Sequence, residues 1–228
     1  MTPGANGVAR ALIPARNEED LVGETVKALR SLDVEVVVVD DASTDATAAA
    51  ALAAGATVLR IGVRAGKGRA MEGALHRLPP ADVWLFADAD LGGSATGLGV
   101  LLDTVRGGDA DVAVATFPPQ SGGGLGLVRR GASFAIRRLS GFPAAQPLSG
   151  QRAITSACLA AVRPLASGFG VETAMTIDAV RAGFRVVDVA VPGLTHRATG
   201  RGVRGFAHRG RQGVDIARAA AGRAIRLR

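Results

Sequence analysis

Residues 36–47 of the chain read VVVVDDASTDAT, an apolar run that ends in two aspartates and then becomes small and polar. The unbroken β-branched run Val36–Val39 is typical of a strand buried on both faces of a parallel sheet. Ser43 or Thr44 is a suitable N-cap for a helix over residues 44–54. A strand that passes through a polar turn into a helix indicates a βαβ unit and an α/β fold.

The same alternation continues along the rest of the chain. Strands are predicted at 11–13, where Pro14 stops the run, and at 36–39, 58–61, 83–86, 112–116, 153–155 and 185–191. Helices are predicted at 20–32, 44–54, 67–78, 127–139 and 172–182, and the Pro- and Gly-rich run 118–126 predicts a mobile loop. We expect one α/β domain over residues 1–228, with a mostly parallel, Rossmann-like sheet flanked by helices and an Arg-rich C-terminal helix.

The composition favours a phosphorylated partner over a nucleic acid. The 228 residues carry a formal net charge of +7, and Lys27 and Lys67 are the only lysines. A basic balance suits a polyanionic or phosphorylated partner, with a compositional bias toward Arg, Ala, Gly and Val as the alternative explanation. The 4% aromatic residues and the absence of tyrosine argue against a base-stacking platform for single-stranded nucleic acid. The single cysteine, Cys158, excludes an internal disulfide and predicts a small buried apolar residue.

The sequence also predicts where the protein is found. The first ten residues lack the features of a signal peptide, and the apolar runs are too short to span a bilayer. We therefore expect a cytoplasmic protein, with peripheral contact at the inner face of the membrane as an open alternative.

Three polar clusters follow predicted strands: residues 14–19 (PARNEE), 40–45 (DDASTD) and 88–90 (DAD). Ligands of open α/β sheets bind at the carboxyl ends of the strands. Each cluster alone has a helix N-terminus as its alternative explanation, but three at one sheet edge favour a site. Two carboxylates at Asp88 and Asp90 are suitable oxygen ligands for Mg²⁺, which also binds substrate phosphates.

Lys67 lies in the run Gly66-Lys67-Gly68 at the start of a predicted helix. Glycines allow close approach of the backbone, and a helix N-terminus favours anions. The spacing is not that of a P-loop, so an ordinary loop is the alternative.

The ordered runs IPARNEE, VVVVDDASTDAT, RAGKGRAMEGAL and VWLFADADL resemble the nucleotide-sugar-binding half of family 2-like GT-A glycosyltransferases. The resemblance implies a GT-A fold, a UDP- or GDP-sugar donor bound by residues 1–116, and Mg²⁺ or Mn²⁺ on Asp90. It implies donor contacts from Pro14, Ala15, Arg16, Glu18, Asp41, Ser43, Lys67, Asp88 and Ala89.

The second half, residues 117–228, resembles two groups. The runs QPLSGQRAI, GFGVETAMTIDAVRAGF and LTHRATGRG resemble glucosyl-3-phosphoglycerate synthases, which implies His196 as a second metal ligand. The runs LVRRGAS and SGQR resemble polyprenyl-phosphate sugar synthases such as dolichyl-phosphate mannose synthase. The acceptor contacts that these likenesses imply are Arg129, Arg130, Gly150, Arg152 and Arg197.

We therefore expect a metal-dependent hexosyltransferase, and a homo-oligomer, that moves glucose or mannose to an anionic acceptor. The acceptor is a 3-phosphoglycerate-like molecule or a polyprenyl phosphate. A hydroxyl acceptor in an inverting reaction needs a carboxylate base, for which Glu172 is the candidate beside Asp90 as a catalytic residue; a helix N-terminal acid is its alternative. Two other functions stay open: a sugar nucleotidyltransferase, and a non-catalytic basic module that binds through residues 197–228.

Overall fold

The structure is a computed structural model that describes residues 7–117, 126–195, 214–215 and 217–223. Its strands are β1 (Ala9–Ala15), β2 (Glu35–Asp41), β3 (Thr57–Ile61), β4 (Val83–Phe86), β5 (Val112–Thr116), β6 (Arg152–Thr155) and β7 (Val186–Ala190). Its helices are α1 (Val22–Arg30), α2 (Thr47–Ala53), α3 (Lys67–Leu75), α4 (Gly99–Arg106), α5 (Gly126–Ser140), α6 (Ser156–Val162) and α7 (Val171–Arg181). Short 3₁₀ helices cover Gly92–Leu98 and Gly168–Gly170.

The seven strands form one sheet in the order β3-β2-β1-β4-β6-β5-β7. The pairs β1–β2, β1–β4, β2–β3 and β5–β7 are parallel, whereas β6 runs antiparallel to both of its neighbours. The predicted α/β class with a mostly parallel sheet is therefore confirmed. The carboxyl ends of β1, β2 and β4 lie side by side, so the three polar clusters share one edge of the sheet.

Apolar side chains cover both faces of the sheet. Alternate residues of each strand point to opposite faces, so Val36 and Val38 pack on one side and Val37 and Val39 on the other. The first face is covered by α1, α4 and the 3₁₀ helix Gly92–Leu98, and the second by α3, α6 and α7. Burial on both faces is the reason that the central strands lack polar alternation.

Three sequence predictions need correction. β1 does not stop at Pro14 but continues to Ala15, because β4 pairs with β1 only as far as Leu12 and leaves Pro14 paired with β2 alone. The helix predicted from residue 44 begins at Thr47, after an N-cap residue, Ala46, that makes no side-chain cap. The helices α4 and α6 and both 3₁₀ helices were not predicted at all.

Part of the C-terminal region packs against the turn before α7. Residues 214–215 and 217–223 are helical, and a Cβ at Gly170 would lie 2.6 Å from the Asp215 carbonyl oxygen. Residues 118–125 of the predicted mobile loop 118–126 lie outside the described residues, as does the rest of the predicted Arg-rich helix, whereas Gly126 begins α5. No helix in the described part of the chain is both long and apolar enough to cross a membrane.

Candidate active site

The loops that follow β1 and β2 are joined by hydrogen bonds through Asn17 and its neighbours. The Asn17 amide donates to Ser43 Oγ at 3.0 Å, and the Thr44 amide donates to Asn17 Oδ1 at 2.9 Å. Asn17 and Ala42 have φ values of 55° and 57°, a left-handed conformation that costs a non-glycine residue about 1–3 kcal/mol. Such strain is common at functional sites, and here it shapes the sheet edge where the polar clusters meet.

Asp41 holds the loop that leads into α3. Its carboxylate accepts hydrogen bonds from the Ala65 amide at 2.6 Å and the Gly66 amide at 2.9 Å. Gly66 itself has a φ of 84°, which favours glycine at this position. The contact fixes the start of α3, so the first side chain of that helix, Lys67, is directed by the end of β2.

The Lys67 ammonium bridges two carboxylates that come from distant parts of the chain. Its Nζ lies 2.6 Å from Asp88 Oδ1, after β4, and 2.7 Å from Glu172 Oε1, in the first turn of α7. The Glu172 side chain is only 8% exposed. Burial alone would lower the pKa of Lys67, but the charges of Asp88 and Glu172 outweigh it and raise the pKa above its ordinary value. Lys67, Asp88 and Glu172 form what we call the charge cluster.

Residues 149–151 press against the charge cluster from the side of β6. Gln151 is fully buried, and its Nε2 donates to Asp88 Oδ2 at 2.6 Å. A Cβ at Gly150 would lie 2.7 Å from both Asp88 Oδ1 and Lys67 Nζ. Any residue larger than glycine at this position would therefore displace the ends of the Asp88 and Lys67 side chains.

Arg152 lies beneath the cluster. The residue is 1% exposed, and its guanidinium donates to the carbonyl oxygens of Ser149 at 2.6 Å and Glu172 at 3.2 Å. Burial lowers the pKa of Arg152. In this structure the arginine ties the loop carrying Gly150 to the start of α7, and the acceptor contact that the resemblance implied stays a prediction.

Asp90 is the residue of the Asp88-x-Asp90 pair best suited to a divalent cation. Both oxygens of Asp88 accept hydrogen bonds from Lys67 and Gln151, which leaves Asp88 less able to act as a ligand. Asp90 is half-buried at the same sheet edge, and a carboxylate there is a hard oxygen ligand. The described residues contain no group of three or more His, Cys, Asp or Glu side chains arranged for a metal, and His196 lies outside them.

The turn that carries Asp90 is held by Thr25 of α1. Its hydroxyl donates to the Ala89 carbonyl at 2.9 Å and accepts a hydrogen bond from the Gly92 amide at 2.8 Å. Thr25 is fully buried. The position of Asp90 is therefore set by the core of the domain, as a ligand-binding side chain requires.

The remaining predicted donor residues line the same edge. Pro14, Arg16 and Glu18 are half-buried, and Ala15 and Ala89 are buried. The Arg16 Nη1 atom is buried and has no hydrogen-bond partner within the described part of the chain. A guanidinium N–H without a partner at this edge is suited to donate a hydrogen bond to an anionic ligand.

The predicted acceptor residues are not all brought to the cluster. Arg129 and Arg130 are exposed on α5, and no contact joins them to the charge cluster among residues 7–117 and 126–195. Arg197, like His196, lies outside the described residues. The acceptor contact of Arg197 and the metal contact of His196 therefore stay predictions.

Sequence reasoning missed several residues that build the site. Gln151, Ser149 and Thr25 were not predicted as site residues, although Ser149 and Gln151 belong to the run QPLSGQRAI. The Lys67–Glu172 contact had no signal in sequence spacing. Cys158 is buried as predicted, and burial raises the pKa of its thiol to about 12.

Comparison with known proteins identifies relatives of this chain. The family model described as glycosyl transferase family 2 matches residues 11–164. The chain is 31% identical to glucosyl-3-phosphoglycerate synthase of Mycolicibacterium paratuberculosis, over 73% of this chain and 58% of that protein. It is 29% identical to glycosyltransferase AglJ of Haloferax volcanii, over 78% of this chain and 60% of that protein. The chain thus spans about three fifths of these relatives' lengths.

Solved structures of one such enzyme are also similar. The crystal structure of glucosyl-3-phosphoglycerate synthase from Mycobacterium tuberculosis with Mg²⁺ and UDP matches with a TM-score of 0.80 and 28% identity, covering 96% of this chain and 80% of that one. The structure of the same enzyme with Mn²⁺, UDP and phosphoglyceric acid matches with a TM-score of 0.80 and 26% identity, covering 96% and 79%.

Proposed function

The chain belongs to glycosyl transferase family 2, and on that premise we propose that it transfers a hexosyl group from a nucleoside diphosphate sugar to a phosphate-bearing acceptor. UDP-glucose is the proposed donor, because similar solved structures hold UDP or UDP-glucose with a divalent cation. A phosphoglycerate-like acceptor is favoured over a polyprenyl phosphate, because the same structures include complexes with phosphoglyceric acid.

The observation that carries the proposal is the bridge from Lys67 to both Asp88 and Glu172. The bridge joins the donor half of the chain to the start of α7, and Lys67 Nζ lies within 2.7 Å of an oxygen of each carboxylate. An ammonium fixed between two carboxylates is a preorganised polar environment, and such an environment stabilises charge without reorganising during reaction.

Transfer breaks the bond between the anomeric carbon of the sugar and the β-phosphate oxygen, and it forms a bond from that carbon to an acceptor oxygen. A bound Mg²⁺ or Mn²⁺, held by Asp90 and by His196 as second proposed ligand, would supply neutralisation of the departing diphosphate. Arg16, with its unused Nη1, contributes a further positive group on the donor side.

Glu172 carries the acceptor side of the proposed chemistry. Its carboxylate belongs to the charge cluster, where Lys67 and the helix α7 hold it in place. In an inverting transfer the proton of a hydroxyl acceptor passes to this carboxylate, whereas an ionised phosphate acceptor needs no base.

The test is product formation followed by mass spectrometry. The protein is incubated with Mn²⁺, one donor (UDP-glucose or GDP-mannose) and one acceptor (3-phosphoglycerate or a short polyprenyl phosphate). We expect a hexosylated phosphoglycerate from UDP-glucose, a loss of about 100-fold or more in kcat for Glu172→Gln, and an unchanged rate for Asp103→Asn, a matched change on α4. Pyrophosphate release from UTP and glucose 1-phosphate would favour a nucleotidyltransferase, and no nucleotide release from any donor would reject the proposal.

A further inference from the structure

A second concave site lies between the edge strand β3 and α3. It is a groove of about 240 Å³, and we call it the β3–α3 groove. Its floor is apolar, formed mainly by Val39, Leu59 and Ile61. Its lining includes no member of the charge cluster, so the proposed glycosyl transfer does not account for it.

The groove exists because nothing in the described chain covers this part of the sheet. β3 is the last strand on its side of the sheet, and α3 packs over β1 and β2. Leu59 and Ile61 are therefore only half-buried. Two large apolar side chains left partly open on an edge strand favour contact with an apolar group of a ligand.

Gly73 keeps the groove open from the side of the helix. A Cβ at this position would meet no atom within 4 Å, so packing does not require glycine here. Glycine inside a helix costs about 1 kcal/mol relative to alanine. Gly73 therefore destabilises the helix although packing does not require it. Its missing side chain leaves space in the wall of the groove for a ligand.

Three arginines surround the apolar floor. Arg69 lies on the exposed side of α3, Arg77 lies in the turn that follows α3, and Arg60 lies on β3. Arg69 and Arg77 form no ion pair within the described residues, whereas the exposed Arg60 side chain pairs with Asp40 across 3.9 Å. The guanidinium groups of Arg69 and Arg77 are therefore free to bind an anion, and their planar fork suits a phosphate.

The geometry points to a binding site for a soluble amphiphilic anion: a phosphate monoester that carries a short apolar chain or ring. At about 30 Å³ for each group the size of a water molecule, the groove accommodates about eight such groups. The concave shape of the groove suits a free molecule better than a lipid held in a bilayer.

The test uses octyl phosphate below its micelle concentration as the probe, measured by isothermal titration calorimetry on the full chain. Octyl glucoside presents the chain without the charge, and inorganic phosphate presents the charge without the chain. We expect saturable binding of octyl phosphate with one site per chain, at least about tenfold tighter than either control compound, since both parts of the groove contribute.

Two variants locate the binding. Gly73→Leu fills the groove, retains all three arginines and improves helix propensity, so it is expected to fold and to bind octyl phosphate at least about tenfold more weakly. Arg69→Gln is expected to weaken binding at least about fivefold. Arg137→Gln, which removes the same charge from the exposed side of α5, is the matched control and is expected to leave binding unchanged.

Three results would overturn the inference. One is the absence of saturable octyl phosphate binding. Another is equal affinity for octyl phosphate in the wild-type protein and Gly73→Leu, or an equal loss of affinity in Arg137→Gln and Arg69→Gln. Either outcome would show that overall charge alone attracts the ligand. The third is binding to vesicles with anionic lipid that is tighter than binding to octyl phosphate and insensitive to Gly73→Leu. None of these measurements depends on glycosyl transfer, so they stand or fall separately from the proposed function.

Discussion

Replacement of Lys67 by methionine removes the ammonium group that bridges Asp88 and Glu172 in the proposed active site. In the wild-type protein the ammonium lies 2.6 Å from Asp88 Oδ1 and 2.7 Å from Glu172 Oε1. Methionine retains much of the aliphatic stem but leaves both carboxylates without this partner. Glu172 and Asp88 would then repel one another across the space that the ammonium had filled.

The size of the effect follows from burial. The side chains of Lys67, Asp88 and Glu172 are 18%, 30% and 8% exposed. Removing one partner of a fully buried ion pair costs about 3–5 kcal/mol. Asp88 keeps its hydrogen bond from Gln151 and some contact with solvent, so we expect a loss near the low end, about 3 kcal/mol.

Urea unfolding measures this loss directly, because the single tryptophan, Trp84, is 4% exposed in β4 and reports on the core. Lys67→Met is expected to lower the free energy of unfolding, and Lys27→Met, at the exposed second lysine, to change it by less than about 0.5 kcal/mol. In a double-mutant cycle, Glu172→Gln in the Lys67→Met background should cost at least about 1 kcal/mol less than it does alone.

One result would refute this reasoning. If Lys67→Met lost no more stability than Lys27→Met, and if the Lys67 and Glu172 changes were additive, the ammonium would not hold the two carboxylates together in solution. The sign of the pH dependence gives a second check. Because the pKa of Lys67 is raised in the folded protein, its contribution to stability is fully present below the unfolded pKa of about 10.4 and is lost only as pH rises through the higher folded value. The difference between wild type and Lys67→Met should therefore stay constant from pH 7 to about pH 9.

Three further predictions test other parts of the site. Gly150→Ala would place a methyl group 2.7 Å from Asp88 Oδ1 and is expected to lower kcat/KM about 100-fold by displacing the cluster; an unchanged value in a steady-state assay would contradict the close approach. Arg152→Met leaves the Ser149 carbonyl without its hydrogen bond and should cost about 2 kcal/mol in urea unfolding, whereas a more stable variant would show that the buried charge is a net burden. Glu72 binds Arg163 at 2.9 Å; burial opposes ionisation, but the hydrogen bonds from Arg163 outweigh it and lower the pKa of Glu72. Glu72→Gln should therefore lower the free energy of unfolding by about 1–2 kcal/mol at pH 7. This difference should disappear as pH falls below the unfolded pKa of about 4.3 and through the lower folded value. A difference that persists at pH 2 would contradict this.

The sheet was predictable from sequence because its central strands are buried on both faces. The run Val36–Val39 and the run Val83–Phe86 are apolar without alternation, and β4 has the predicted bounds. Their acidic ends were predictable as a site because ligands of open α/β sheets bind at the carboxyl ends of the strands.

The unpredicted helices depend on tertiary contacts. Residues Gly92–Leu98 have the sequence GGSATGL, whose three glycines disfavour a helix. Ala95 and Leu98 are nevertheless fully buried, and this burial stabilises a 3₁₀ turn that local propensity opposes. The helix α6 is only seven residues long, and Thr155 caps it by accepting a hydrogen bond from the Cys158 amide.

The site was predictable only in part, for a similar reason. Asp88, Asp90 and Lys67 each follow a recognisable strand or begin a helix. The contacts from Glu172 and Gln151 arise from α7 and from the antiparallel strand β6, whose place beside β4 is a property of the sheet order. The burial of Arg152 and its hydrogen bonds to the Ser149 and Glu172 carbonyl oxygens likewise could not be predicted from the motif alone.

Calorimetry of nucleotide binding tests the central claim most directly: that the sheet edge around Asp88 and Asp90 binds a nucleoside diphosphate with a divalent cation. UDP and GDP are titrated into the protein with Mn²⁺ and again with EDTA. We predict saturable UDP binding that requires Mn²⁺, that weakens at least about tenfold in Asp90→Asn, and that is unchanged in Asp103→Asn. Binding of neither nucleotide, or UDP binding indifferent to both Mn²⁺ and Asp90→Asn, would contradict the account.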